Sequence, residues 1–173
     1  MRKSHLHDLL HAGPGFVCST GFVGAAPGVA IDNTAPLCLY NPAGSSTRLY
    51  LVQASYSYVS GTPGTGSHWL CYNDTVGQAA PTGTAMIIKP LRMMATDVPV
   101  GQVFLNATLP NAANVYIPLG PQDATGAGFN LNVYYVDGFQ QVDPGGILSW
   151  QFIGTAGAAP VNNYGFIWVE VTI

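Results

Sequence analysis

Few side chains in this sequence can do chemistry, and their spacing limits what that chemistry can be. His5, His7 and His11 form a histidine cluster. On a helix His7 and His11 share a face at i, i+4, the spacing of a zinc site, but no glutamate lies between them and no third ligand follows. Asp8 is adjacent to the pair rather than aligned with it. His68 and Cys71 stand three apart in a β-prone run. Alternation places them on opposite faces, which excludes a Cys–His nucleophile pair. Ser67 sits in Thr65-Gly66-Ser67-His68-Trp69, without the closing glycine of a nucleophile elbow. The glycine-rich run 61–66 lacks the Gly-Lys-Ser/Thr ending of a phosphate loop and reads as a hairpin loop. Asp97, Asp123, Asp137 and Asp143 are scattered through turn-like stretches near proline or glycine, not paired as glycoside hydrolysis requires. Asp123 with Gly126 and Gly128 lacks the alternating oxygen ligands of a calcium loop. The expectation is no enzyme: no catalytic residue, no cofactor and no metal. Two N-x-T sequons, at Asn73 and Asn106, would matter only in a secreted chain.

Composition explains this scarcity. The chain has 173 residues, a length suited to one domain, and only 8% are charged, against about 25% in an ordinary soluble domain. Five Lys and Arg oppose eight Asp and Glu, for a net charge of −3. No basic residue follows Arg92, so no phosphate-binding face can form and nucleic acid is excluded as a partner. Size scaling gives a folded surface of roughly 8,000 Å², hence one charge per roughly 600 Å². The remaining surface must be neutral polar groups and backbone, or must be covered by another protein. Arg2-Lys3 resembles the start of a signal peptide, but His5, His7, Asp8 and His11 interrupt the apolar region that should follow. The apolar stretch 16–31 carries Gly21, Gly24, Pro27 and Gly28 and is too short to span a bilayer. Neither a signal peptide nor a membrane segment is expected. In a reducing cytoplasm Cys18, Cys38 and Cys71 are then small buried hydrophobes.

The elements that must position these residues are strands. With 21 glycines and 13 prolines, the sequence from residue 15 onward alternates short β-prone runs with turn clusters. Strands are predicted at 16–19, 29–31, 37–40, 49–59, 68–72, 85–89, 103–108, 115–118, 131–136, 147–153 and 164–173. The spacing predicts an all-β fold, an antiparallel β-sandwich of jelly-roll type over 15–173. Residues 1–14 form an N-terminal arm. In the arm Leu6, Leu9 and Leu10 share one helical face before Gly13-Pro14 stops it, and a helix so short needs a partner to receive them. In 49–59 the face Tyr50, Val52, Ala54, Tyr56 and Tyr58 is the expected core face. In 164–173 Ile167, Val169, Val171 and Ile173 oppose Phe166, Trp168, Glu170 and Thr172, so this strand is apolar on both sides. Phe166 and Trp168 must then close the domain or meet a neighbour. With Leu6, Leu9 and Leu10 they are the candidate interface residues.

The run Leu39-Tyr-Asn-Pro-Ala-Gly-Ser-Ser-Thr-Arg-Leu-Tyr-Leu-Val52, continued by Tyr56-Ser-Tyr-Val-Ser-Gly-Thr-Pro-Gly-Thr-Gly66, resembles a pattern in small structural proteins of tailed bacteriophages. The segments Val142-Asp-Pro-Gly-Gly-Ile-Leu-Ser-Trp-Gln151, Gly154-Thr-Ala-Gly157 and Phe166-Ile-Trp-Val-Glu-Val171 are similar to the closing hairpin of the same group. The resemblance implies a capsid cement or decoration protein with a jelly-roll-like sandwich. Such a protein is made in the host cytoplasm and placed on the outer surface of the virion, where it stabilises contacts between capsomers of the major capsid protein, often as a homotrimer. Residues 111–141 lie outside the match. The alternative is a carbohydrate- or receptor-binding module of a head fibre or tail, with Trp69, Tyr72 or Trp150 as its stacking platform. Low charge, nine tyrosines and three tryptophans suit either a contact surface or a sugar platform.

Overall fold

The computed structural model describes residues 5–21, 23–123, 132–155 and 157–173, leaving aside the side chains of residues 5–7 and 10. One short helix, α1 (His5–Ala12), precedes eleven strands. These are β1 (Gly15–Ser19), β2 (Thr34–Tyr40), β3 (Thr47–Thr62), β4 (Gly66–Tyr72), β5 (Thr82–Ala85), β6 (Lys89–Pro90), β7 (Gln102–Thr108), β8 (Val115–Gln122), β9 (Asn132–Val142), β10 (Ile147–Gly154) and β11 (Ala158–Thr172). The strands form two sheets, in the orders β6-β1-β11-β3-β9 and β5-β7-β2-β10-β4-β8. All the ladders are antiparallel. The pairing is nested: β1 with β11, β2 with β10, β3 with β9 and β4 with β8, alternately in the first and second sheet. The insertion β5–β7 lies between β4 and β8 in sequence and adds edge strands to both sheets.

Turn chemistry carries the chain from one sheet to the other. In Asn41-Pro42-Ala43-Gly44, Gly44 takes φ 81°, a left-handed conformation that only glycine adopts without strain. Asn41 is fully buried and holds the corner together. Its Nδ2 donates to Thr47 O and to Val142 O, both at 2.8 Å, and its Oδ1 accepts from Ser45 Oγ at 2.7 Å. One amide thus ties β2, β3 and β9 together, and a buried amide with its hydrogen bonds made costs little.

Between the sheets lie Phe16, Leu37, Leu39, Leu49, Leu51, Leu70, Trp150, Tyr164, Phe166 and Trp168, all fully buried. Both outer faces are also partly roofed. Over the second sheet, Leu109 packs with Ala35, Cys38, Tyr40 and Ile147. Residues 109–114 run along this face, tied at one end by Leu109 N to Asn33 O and at the other by Asn114 N to Tyr72 O. Cys38, Ser149 and Cys71 stand in register across β2, β10 and β4 and are fully buried. Over the first sheet, α1 rests against β9 and β11. There Leu9 is buried, as is Val169 on the outward side of β11.

Several expectations change. Phe166 and Trp168 are 0% exposed within a single chain, so they close the domain and are not available to a neighbour. The inward face of β11 is Tyr164, Phe166, Trp168 and Glu170, and its second apolar side is partly served by α1. The arm likewise docks on its own sheet through Leu9 rather than waiting for a partner, while the side chains of Leu6 and Leu10 lie outside the described residues. On β3, Leu51 pairs with Trp168 and Gln53 with Ile167. Val52 is the extra residue of a bulge, and the inward set changes there from Leu49 and Leu51 to Ala54 and Tyr56. A bulge re-aims every side chain beyond it, so strict alternation from Tyr50 selects the wrong residues before that point. Residues 29–31 are not a strand, and 85–89 is the crossing from β5 in one sheet to β6 in the other. The last strand begins at Ala158, six residues before its expected start, because register shifts between Ala158 and Asn162 let Ala158-Ala-Pro-Val-Asn-Asn163 keep pairing with β3 around Pro160.

Candidate interaction surface

Of the side chains that look chemical in the sequence, His68 and the three cysteines are built into the interior, whereas Asp8, His11, Asp123, Asp137 and Asp143 are exposed and Ser67 and Asp97 half-buried. His68 is fully buried, and its Nδ1 accepts the indole N–H of Trp150 at 3.0 Å. Trp can only donate, so the ring proton sits on Nε2, which donates to Gln122 Oε1 at 2.8 Å. Burial pushes His68 down to about 4, opposed in part by the Gln122 bond. The ring stacks on Tyr56 with centroids 3.7 Å apart. Gln122 continues the chain of contacts, donating to Gly64 O at 3.0 Å and accepting from Asn162 Nδ2 at 3.2 Å. This network is a strut between sheets, and its imidazole is neutral and sealed. Cys71 faces the opposite side of β4, as alternation requires, and burial raises its thiol to about 12. Cys18 and Cys38 are raised to about 11 and about 12 for the same reason. Among the described residues no three His, Cys, Asp or Glu side chains converge as metal ligands would.

A second internal pin sits at the other end of the sandwich. Glu170 is 4% exposed. Its Oε2 accepts Val100 N at 2.8 Å, and its Oε1 accepts Gly101 N and Trp168 Nε1, each at 2.9 Å. Three donors on one buried carboxylate fix the end of a long excursion to the core. Sequence reasoning missed this role. The available signal was a lone acid in an otherwise apolar strand, flanked by Trp168.

That excursion, residues 86–100, carries five of the exposed large apolar side chains, others being scattered over the chain at Val23, Val76, Tyr135, Phe139 and Ile173. Met86 N donates to Val103 O at 2.8 Å beside β7, and Leu91 N donates to Gly15 O at 2.8 Å beside β1. Met86 and Ile88 pack against the core from the open edge of the sandwich. Ile87, between them, points outward, and Leu91, Met93, Met94 and Val98 follow it into solvent. Met93 and Met94 are 91% and 98% exposed, and Met94 holds φ 60°, a conformation unusual for a side-chain-bearing residue. Arg92 reaches Asp97 at 3.3 Å across this loop, and Ala95 N closes a turn on Arg92 O. Summed residue by residue, these five exposed apolar side chains offer roughly 600–700 Å² on a short segment. That is at or above the largest patch on a typical monomer and close to one partner's share of a standard interface.

A smaller apolar feature lies on the second sheet. A recess of about 410 Å³ is lined by Val29, Ala30, Ile31, Trp69, Tyr116 and Ile153. Of the three aromatics expected as a platform, only Trp69 borders it. Its indole N–H donates to Ser67 Oγ at 3.2 Å. Trp150 is in the core, and Tyr72 is half-buried against it. Neither a protein-family model, nor a curated protein, nor a solved structure matches this chain. The chain is a two-sheet antiparallel sandwich with a tethered apolar excursion.

Proposed function

We propose that this chain is a non-enzymatic structural protein of a bacteriophage particle. In this reading it is a cement or decoration protein on the outer surface of an icosahedral shell, bridging capsomers of the major capsid protein as a homotrimer. The observation that carries the reading is the excursion. A protein that works by contact area needs apolar anchors held ready on a rigid body, because ordering them at the moment of binding costs affinity. Residues 86–100 meet that need for the contacts within the homotrimer, leaving the shell to the trimer's other faces: they are fixed at Met86, Leu91, Val100 and Gly101 and carry Met93 and Met94 outward. Methionine suits such a role, being flexible and polarisable enough to fit an irregular partner. The nested strand pairing supports the jelly-roll part of the reading, a fold that recurs in viral capsid domains. The turns at Asn41–Gly44 and Asp143–Gly146 are those that carry the resemblance to phage structural proteins. Cryo-electron microscopy of the native particle tests it. The expected density lies on the outer shell over seams between capsomers; density confined to a tail or fibre, or particles lacking the chain, would overturn the proposal.

A second reading, a glycan-binding module, is favoured by the recess beside Trp69 and Tyr116. It ranks below the first because the walls are largely apolar, whereas a sugar needs polar partners for its hydroxyls. Saturation-transfer NMR with oligosaccharides, compared between wild type and Trp69→Ala, measures it directly.

A further inference from the structure

We infer that the excursion 86–100 is the surface through which copies of this chain meet one another, each packing its Ile87, Leu91, Met93, Met94 and Val98 against the same segment of a neighbour. This deepens the homo-oligomer part of the proposed function and replaces Phe166 and Trp168, which are sealed in the core, as the contact. The first argument is area. One excursion offers roughly 600–700 Å² of apolar side chain, so two of them packed together bury roughly 1,200–1,400 Å², within the range of stable protein interfaces. A partner without a matching apolar face would leave part of that surface wet.

Charge makes the second argument. The loop carries both signs, Arg92 and Asp97, on the same face, with the Arg92 side chain 81% exposed. A patch holding a cation and an anion side by side complements a second copy of itself, since each arginine can exchange its intramolecular aspartate for that of the neighbour. The remaining cation, Lys89, is solvent-exposed and adds one uncompensated charge per copy, a modest repulsion against the apolar gain. The third argument is the edge. The strand here, β6, is two residues long and ends in Pro90, which has no N–H for a ladder. Continuation of the sheet into a neighbour is blocked, so the contact must be made by side chains. Preorganisation is the fourth. Glu170, Val103 O and Gly15 O hold the segment from three directions, so little ordering remains for association.

The test uses the purified chain alone, by sedimentation velocity from 1 to 200 µM at neutral pH. The wild type is expected to associate into a dimer or trimer, with an affinity that changes less than threefold between 50 and 500 mM NaCl. Met93→Ser with Met94→Ser is expected to weaken association at least tenfold while leaving unchanged the circular dichroism of the sandwich and, at a concentration where both chains are monomeric, its melting temperature. Val76→Ser, at a site 93% exposed on another loop, is the control and should associate like wild type. A wild type that stays monomeric at 200 µM, or a double variant that associates as well as wild type, overturns the inference. A monomeric chain that still decorates shells would reject this contact while leaving the shell reading in place, so the two failures are distinguishable.

Discussion

The interior between β10 and β11 and the excursion between β5 and β7 use similar residues to opposite ends. In the first, Trp150, Phe166 and Trp168 are removed from water, and the polar groups beside them are held by named partners, His68 by Trp150 and Gln122 and Glu170 by two backbone amides and an indole, while Asn162 Oδ1 is buried without one. In the second, Met93, Met94, Val98 and Ile87 stand in solvent on a backbone fixed by hydrogen bonds at both ends. The difference teaches that apolarity alone does not assign a residue to the core here. What assigns it is whether the local backbone lies between the two sheets or crosses their open edge. Glu170 joins the two regions, being at once a core residue and the clamp on the excursion.

Breaking the interior should give the largest effect. Trp168→Ala removes a fully buried indole and the donor to Glu170, and is expected to cost about 3–5 kcal/mol by cavity formation, read as a lower midpoint in urea denaturation. A Trp168→Ala chain as stable as wild type would return this residue to the surface.

Acid tests the polar strut. The unfolded histidine titrates near 6.5, and the folded His68 near 4, so the unfolded chain binds a proton that the folded one refuses. Stability is therefore fully present above about pH 6.5 and falls as pH drops toward 4, by on the order of 3 kcal/mol. Thermal melts at pH 7.0, 6.0, 5.0 and 4.5 should show this fall in wild type. His68→Gln, less stable at neutral pH, should show a flatter dependence over the same window. Equal slopes would mean that other groups carry the acid sensitivity.

Glu170→Gln probes the link between the regions. A neutral amide keeps one acceptor oxygen but turns an NH₂ toward the N–H donors, so a cost of about 1.5–3 kcal/mol is expected. Faster hydrogen exchange at Val100 and Gly101, with the β11 amides still protected, would localise the effect to the clamp. The smallest effect belongs to the excursion itself. Met93→Ser with Met94→Ser should change monomer stability by no more than about 0.5 kcal/mol, and a larger loss would mean that these methionines pack on their own chain.

Strand content was legible because glycine and proline clusters cut the chain into β-length pieces, and most of the expected strands lie where expected. The inward faces of β3 and β11 were not. Alternation propagates from any starting residue without error only if no bulge intervenes, and Val52 supplies one. In β11 both sides are apolar, so period two alone gave no sign, and only the placement of α1 over the outer face shows why Val169 can be as buried as Trp168. The first residues of the excursion fall within the strand predicted at 85–89, since Ala85 to Lys89 is as β-prone as its neighbours. Its exposure follows from its path between sheet edges, which no local pattern encodes.

The sequence by itself determined the class of the protein: turn residues at short intervals, a low charge density and period-two apolar runs dictate an antiparallel β-sandwich, because those preferences are local and act within a few residues. Only the tertiary structure decided which apolar residues are interior and which are contact surface. That choice depends on register across strands distant in sequence, such as Leu51 with Trp168, and on which edge a connecting segment must cross. The energies involved are non-local, and a residue's neighbours in the chain do not carry them.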